Sequence, residues 1–323
     1  MNTEVSELAI AGTCVILAGI ALEWWAVRRG KIRGNYSGKD ALVSLTMGAG
    51  NASINAVLAF ISAAVLAVAM ALHPWTFDIT VWTVVGALIT HDFLYYVKHR
   101  IGHRSRLFWA EHVTHHSSQH FNLTTALRQP WTGPLSNVML IGGPMVLIGF
   151  PLQLVLIATS FHLFYQIWIH TEAIGRLPRP VEAVFVTPSH HRVHHATNPQ
   201  YLDANFGGTL IIWDRMFGTF VPEANQDDTR FGLVKQLNSY NPLVVAYHGF
   251  TALAADCRKD GLRPVTWARR AFNAPGWSPD GHHERSEEIQ ARWWAQIEAE
   301  TSKAAQLALE RSPATDTSRI AAE

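Results

Sequence analysis

Cysteine is nearly absent. Cys14 and Cys257 are the only two in 323 residues, far apart and in unlike surroundings. That count excludes a disulfide framework, a thiolate zinc site and an iron–sulfur cluster. Charge is scarce too, at 16% Asp, Glu, Lys and Arg, where an average soluble domain carries about 25%. With 48% hydrophobic residues the chain is not disordered, and it is too apolar for an ordinary soluble protein. The little charge present is balanced, 26 basic against 25 acidic residues, so no basic field invites nucleic acid. Met1 to Glu7 is acidic and lacks the basic start and small-residue cleavage site of a secretory signal. There is no internal repeat, no Glu-x-x-His pair, and no nicotinamide, flavin or cytochrome b5 motif.

What is there, first, is long apolar runs. Leu8 to Val27 is almost continuously apolar, and about 20 such residues span a bilayer as a helix. Arg28, Arg29, Lys31, Arg33 and Lys39 follow at once, which places that loop on the cytoplasmic side. Ala41 to Leu72 is a second region. Its start is mixed with Ser, Gly and Asn and reads as interfacial, so Ile54 to Leu72 is the expected span. Ile79 to Val97 is a third, ending in Lys98, His99 and Arg100. Leu135 to Ile169 is too long for one helix, and Gly149-Phe150-Pro151 splits it into a hairpin. The hairpin goes out and comes back, and the expectation is an all-α integral membrane protein. About four transmembrane helices would support a cytosolic helical cap.

Second is histidine. Of 17, 13 lie between His91 and His195. Three clusters sit just beyond the cytoplasmic ends of the runs: His99 with His103, then His112 with His115 and His116, then His191 with His194 and His195. On a helix His99 and His103 share one face. His115 and His116 fall about 60° and 40° either side of His112, so a triplet converges on one point or on two adjacent points. The last triplet repeats that spacing. Eight imidazoles at one membrane face call for metal, and imidazole suits zinc, copper, iron and nickel. Eight exceed what one such ion takes, so two ions are expected. A metal-ion transporter is the alternative reading, but transporter ligands lie inside spans near the midplane and include carboxylates.

These motifs, His-x3-His and twice His-x2-His-His after membrane runs, resemble the fatty acid hydroxylase and sterol desaturase superfamily. Asp92-Phe-Leu-Tyr95-Tyr96 is similar to the family's aromatic run before the first cluster. Asn122-Leu-Thr-Thr-Ala-Leu-Arg128 is similar to its segment after the second. Trp168-Ile-His170-Thr-Glu172, Thr187 to Arg192 and Asn205 to Arg215 resemble the branch that includes alkylglycerol monooxygenase. The likeness runs strongly from Asp40 to Phe220 and more weakly through Tyr240-Asn-Pro and Pro275-Gly-Trp277.

The resemblance implies a membrane di-iron oxygenase, with two iron ions, O2 as co-substrate and an external electron donor. It would hydroxylate or desaturate a C–H bond of a lipid. It implies as ligands His99, His103, His112, His115, His116, His191, His194 and His195, with His170 as a ninth. Asp92, Asn122, His190, Asp203 and Asn205 are the expected partners that orient those ligands, since a metal-bound imidazole donates its other N–H to a carboxylate or carbonyl. No catalytic residue beyond the ligands is expected. Arg104, and Gln119 with His120, stand where relatives carry acidic residues, so no role passes to them. His73, His248, His282 and His283 read as incidental, and Arg128 and Arg192 as structural or phosphate-facing. The expected organisation is an N-terminal transmembrane region over 1–78, a catalytic region over 79–220, a cytosolic extension over 221–285, and a polar helix with a disordered tail over 286–323.

Overall fold

The computed structural model describes residues 3–73 and 75–311. Among them the regular structure is helical. Two isolated bridges, Phe185 with Leu210 and Ala196 with Phe231, are the only β pairings among the described residues. The expected disordered tail lies outside the described residues.

Helix α1 (Thr3–Arg28) ends where Gly30 turns left-handed. Helix α2 (Gly38–Leu72) starts at Ser37, whose side chain accepts from the Asp40 N–H. These two are long and apolar enough to cross a membrane, and only 6% of the most apolar stretch of α2 is buried by protein. Helix α3 (Val81–Arg104) opens with a reciprocal cap between Thr80 and Thr83. It carries the third expected span but also His91, Asp92 and Lys98, so by composition it is not among the two. The expected hairpin is present: α5 (Gly133–Ile148) and α6 (Leu152–Trp168) are joined at Gly149-Phe150-Pro151. Gly149 has φ +113°, and a Cβ there would come within 2.8 Å of Trp75. Both arms are short. At 1.5 Å per residue α6 is about 26 Å long.

Helix α2 runs without a break through the mixed stretch before Asn51, one continuous helix of 35 residues with the expected span. The polar residues there serve docking. Asn51 donates to the Pro130 carbonyl at 2.6 Å, and the Trp131 indole donates to the Met47 carbonyl at 3.1 Å. Ser44 accepts from Arg128 at 3.1 Å.

The core between the apolar helices is built by Ala69, Ala87, Ile141, Met145, Leu154 and Ala158. Outward, Val57, Phe60, Trp82, Val85, Ile157 and Phe164 stay exposed. Apolar surface on this scale marks contact with something other than water.

Beyond the apolar bundle, α4 (Arg106–His116) turns off α3 at Ser105. Short helices α7 (Arg179–Val184), α8 (Pro188–His195) and α9 (Ile212–Met216) follow α6. Then α10 (Pro242–Lys259) lies directly on α4. Gly249 permits this: a Cβ would meet Ala110 Cα at 2.6 Å. Thr114 donates to the Val245 carbonyl across the same contact at 3.0 Å. Val245 and Ala246 pack in turn on Val43 and Met47 of α2. Helices α11 (Pro264–Phe272) and α12 (Ser286–Arg311) are the last helices among the described residues.

Candidate metal centre

All nine histidines expected as ligands come together, but not cluster by cluster. His99, His103, His112, His116 and His194 form one group, and His115, His170, His191 and His195 a second. In each group one ring nitrogen per residue lies within 4.8 Å of all the others. The triplets are divided between the groups. α4 sends His112 and His116 one way and His115 the other, and α8 sends His194 to the first group and His191 with His195 to the second. The groups touch where His116 stacks on His195, ring centroids 4.4 Å apart.

Tautomers follow from the partners of Nδ1. His99 Nδ1 lies 2.8 Å from the Phe206 carbonyl and His194 Nδ1 2.9 Å from the Ala204 carbonyl. His170 Nδ1 lies 2.7 Å from the Gln166 carbonyl and His115 Nδ1 3.3 Å from the Arg128 carbonyl. A carbonyl only accepts, so each Nδ1 carries the proton and each Nε2 is bare. His103 Nδ1 faces Asp203 at 3.3 Å, and its buried Nε2 has no partner. Bare Nε2 atoms therefore crowd together: His170 and His115 at 3.2 Å. Two lone pairs at that distance repel, and a cation between them converts the repulsion into coordination. Burial, followed by the neighbouring rings, holds His99, His112, His115, His191, His194 and His195 neutral, well below the ordinary imidazole range. Neutral imidazole is the form that binds metal. The donor set fits two divalent ions.

Aromatic rings close the surroundings. Trp109 packs against His103 at 4.9 Å, Phe121 against His195 at 5.1 Å and Phe206 against His103 at 5.2 Å.

Of the five residues expected to orient ligands, Asp203 alone reaches one through its side chain. It adopts φ +55°, and Asn205 adopts φ +56°, a left-handed region that Asp and Asn tolerate better than most residues. That winding aims the Asp203 carboxylate and the Ala204 and Phe206 carbonyls at three histidines. Asn205 holds the winding, donating to the His190 and Val221 carbonyls at 3.1 and 2.8 Å. Asp214 holds it too, accepting from the N–H groups of Phe206 and Gly207 at 2.7 Å each.

The other three do different work. The Asp92 carboxylate touches none of the nine histidines. It accepts from Thr209 N–H, Leu210 N–H and the Trp213 indole at 2.8, 3.0 and 2.9 Å, tying α3 to the loop beneath the centre. Asn122 caps the short turn Leu123–Leu127 and donates to the Asn35 carbonyl at 2.9 Å. His190 caps α8, taking the Thr187 N–H on Nδ1 at 3.4 Å, with Nε2 3.6 Å from Glu182.

Two arginines are structural. Arg128 is buried against Asp40 at 2.7 Å, and Arg192 forks onto Glu223 at 2.7 and 2.9 Å. Sequence reasoning passed over the backbone carbonyls as the main orienting groups. It also passed over Gln166, whose carbonyl serves His170 while its amide meets His162 at 2.8 Å. Only the Asp-x-Asn pair of the loop hinted at such a winding.

Residues 83–219, which contain this centre, match the family model for fatty acid hydroxylase. The match covers the histidine centre and less than half of the chain. Alkylglycerol monooxygenase of Xenopus tropicalis is 41% identical over 214 residues, 64% of this chain and 44% of that protein. That of Danio rerio is 43% identical over 210 residues, with the same coverage of 64% and 44%. Ornithine lipid hydroxylase OlsE of Rhizobium tropici is 29% identical over 150 residues, 46% of this chain and 45% of that protein. The chain thus spans less than half the length of these curated relatives. No solved structure matches it.

Proposed function

We propose that this protein is an integral membrane, O2-dependent, non-haem di-iron oxygenase that hydroxylates or desaturates a C–H bond of a lipid. The observation that carries the reading is the pair of converging histidine groups, with bare Nε2 atoms of His99 and His194 in one and of His115 and His170 in the other. The first group would hold one iron and the second the other. When bound, iron supplies the activation of O2 that an unactivated C–H bond requires, which side-chain acid–base chemistry cannot reach. The chain's own residues do the rest. Asp203 and the carbonyls of residues 128, 166, 204 and 206 fix the tautomers, and Trp109, Phe121 and Phe206 exclude water. Activity on lipids is what the names of the family relatives denote.

The membrane arrangement belongs to the same proposal. α1, α2, α3 and the α5–α6 hairpin would form the membrane region. The histidines and α4, α8 and α10 would form the cytoplasmic cap. The basic loop of Arg28 to Lys39 supports that side. A lipid tail would enter from the bilayer, and a separate donor would deliver electrons from the aqueous side. The division at residues 78, 220 and 285 remains the proposed organisation, with the extension packed on α4. Comparative lipidomics of a deletion strain tests the reading. A lipid that loses one hydroxyl group or one double bond in the deletion, and regains it with the wild-type gene but not with His115→Ala, is the expected result.

A further inference from the structure

Contacts fix where the C-terminal extension sits beside the apolar bundle. Glu111 of α4 accepts from Ser136, in the first turn of α5, at 2.6 Å, so α4 lies level with the mouth of the hairpin. Next to it, α10 packs Val245 and Ala246 on Val43 and Met47 of α2, and the Tyr247 ring meets Trp131 at 5.9 Å. Trp131 itself docks on the Met47 carbonyl, before the expected span of α2 begins. Further along, Gly249 meets Ala110 and Asp256 pairs with Arg106 at 2.6 Å. Helix α10 therefore starts at the boundary where the apolar helices end and stays against α4.

The two faces of α10 differ. Gly249, Ala252 and Asp256 line a cavity of about 550 Å3 beside His103, His116 and His194. Leu243, Tyr247 and Ala254 lie on the opposite side of the helix and are exposed. Helix α11 continues that outer face. Its inner side is tied down, the Trp267 indole donating to the Cys257 carbonyl at 2.8 Å and Ser105 donating to the Ala271 carbonyl at 3.0 Å. Outward stand Val265, Ala268 and Phe272 at helical spacing, with Leu262 just before them 91% exposed.

Basic groups border this apolar stripe. From 256 to 272 there are five basic and two acidic residues. Both acids are taken, Asp256 by Arg106 and Lys259, Asp260 by Arg270. Arg258, Arg263 and Arg269 are exposed and form no ion pair among the described residues. An apolar stripe bordered by free arginines is the pattern of a helix lying in the plane of a bilayer surface. A second copy on a two-fold axis would set these arginines against each other, whereas the cytoplasmic leaflet is anionic.

We propose that the outer face of α10 and α11 docks on the head groups of an anionic leaflet, continuing the lipid-facing surface of α2. Arg258, Arg263 and Arg269 would reach the phosphates, and Leu243, Val265 and Phe272 the acyl boundary. The leaflet would then brace the helix whose inner face walls the cavity. The proposal rests on the reading of the apolar bundle as membrane-spanning, and the test separates the two.

The test uses full-chain protein in lipid nanodiscs, with Cys14→Ser and Cys257→Ser removing the native thiols. A bimane label is placed through Val265→Cys, through Val57→Cys on the exposed side of α2, or through Gln296→Cys on the exposed side of α12. Quenching by doxyl-labelled phosphatidylcholine is read in neutral discs and in discs with about 30% phosphatidylglycerol. The label at 57 should be quenched in both, and the label at 296 in neither. Quenching at 265 should be about twofold greater in the anionic discs. That increment should vanish at about 1 M salt, where the Debye length is about 3 Å. It should vanish too when Arg258→Gln, Arg263→Gln and Arg269→Gln are combined. If the combined variant fails to fold, the salt series decides alone. A label at 265 quenched no better than that at 296, while that at 57 is quenched, overturns the docking and leaves the membrane reading standing. Equal quenching at 265 in neutral and anionic discs overturns it as well. So does a label at 265 that is shielded from aqueous iodide yet not reached by the doxyl lipid, the result a second copy would give. A label at 57 that no lipid quenches refutes the membrane reading itself, and the docking with it.

Discussion

His115 and His170 turn bare Nε2 atoms on each other at 3.2 Å, although 55 residues separate them. Each ring is committed by a carbonyl on its far side, Arg128 for one and Gln166 for the other. Neither ring can flip without breaking that bond in a buried setting, and neither can donate to the other. His170→Ala and His115→Ala should each lower bound iron from about two to about one per chain. Metal analysis on folded protein, verified by an unchanged helical circular dichroism spectrum, checks it.

Asp203 and Asp92 should separate cleanly. Asp203 orients His103, so Asp203→Asn should weaken iron affinity by about 10- to 100-fold at the first group only. Asp92 accepts three hydrogen bonds and touches no ligand, so Asp92→Asn should lower the melting temperature more than the iron affinity. Competitive chelator titration beside a thermal melt distinguishes the two.

Much of this centre was legible because helical periodicity is local. The i, i+4 spacing of His99 with His103 and of His191 with His195 predicts shared faces, and the structure places each pair in one group. How the triplets divide was not legible. The second triplet admitted one point or two, and the choice is made by α8 approaching α4 from the side, a tertiary event. Asp92 shows the reverse error. A carboxylate about two turns before His99 looks like a partner for it, yet the carboxylate is taken by the backbone of the loop at Thr209 and Leu210.

Arg192 is fully buried, its guanidinium forked onto Glu223 and bonded to the carbonyls of Thr171 and Ile174. Removing one partner leaves the other charged and dry. Arg192→Met should destabilise by about 3–5 kcal/mol, and Arg192→Met with Glu223→Gln by less. Denaturation of the detergent-solubilised proteins measures both.

Acid should unfold the iron-free protein early. Burial lowers the pKa of His170 to about 4, against about 6.5 for an unfolded histidine. The unfolded chain therefore binds more protons than the folded one between those values, and stability falls as pH drops from about 6.5 towards 4. His99, His112, His115, His116, His191, His194 and His195 shift the same way and add to the slope. Melting temperature against pH should decline through that window. Iron loading should raise the whole curve, since metal binds only the neutral rings of the folded state.

The central claim is that two groups of histidine nitrogens hold two irons. The most direct measurement is iron content with Mössbauer spectroscopy on the full-chain protein reconstituted with 57Fe. The account predicts about two irons per chain in nitrogen-rich sites, with no haem absorbance, falling to about one in His170→Ala. A wild-type protein that folds, melts cooperatively and retains no iron would contradict it.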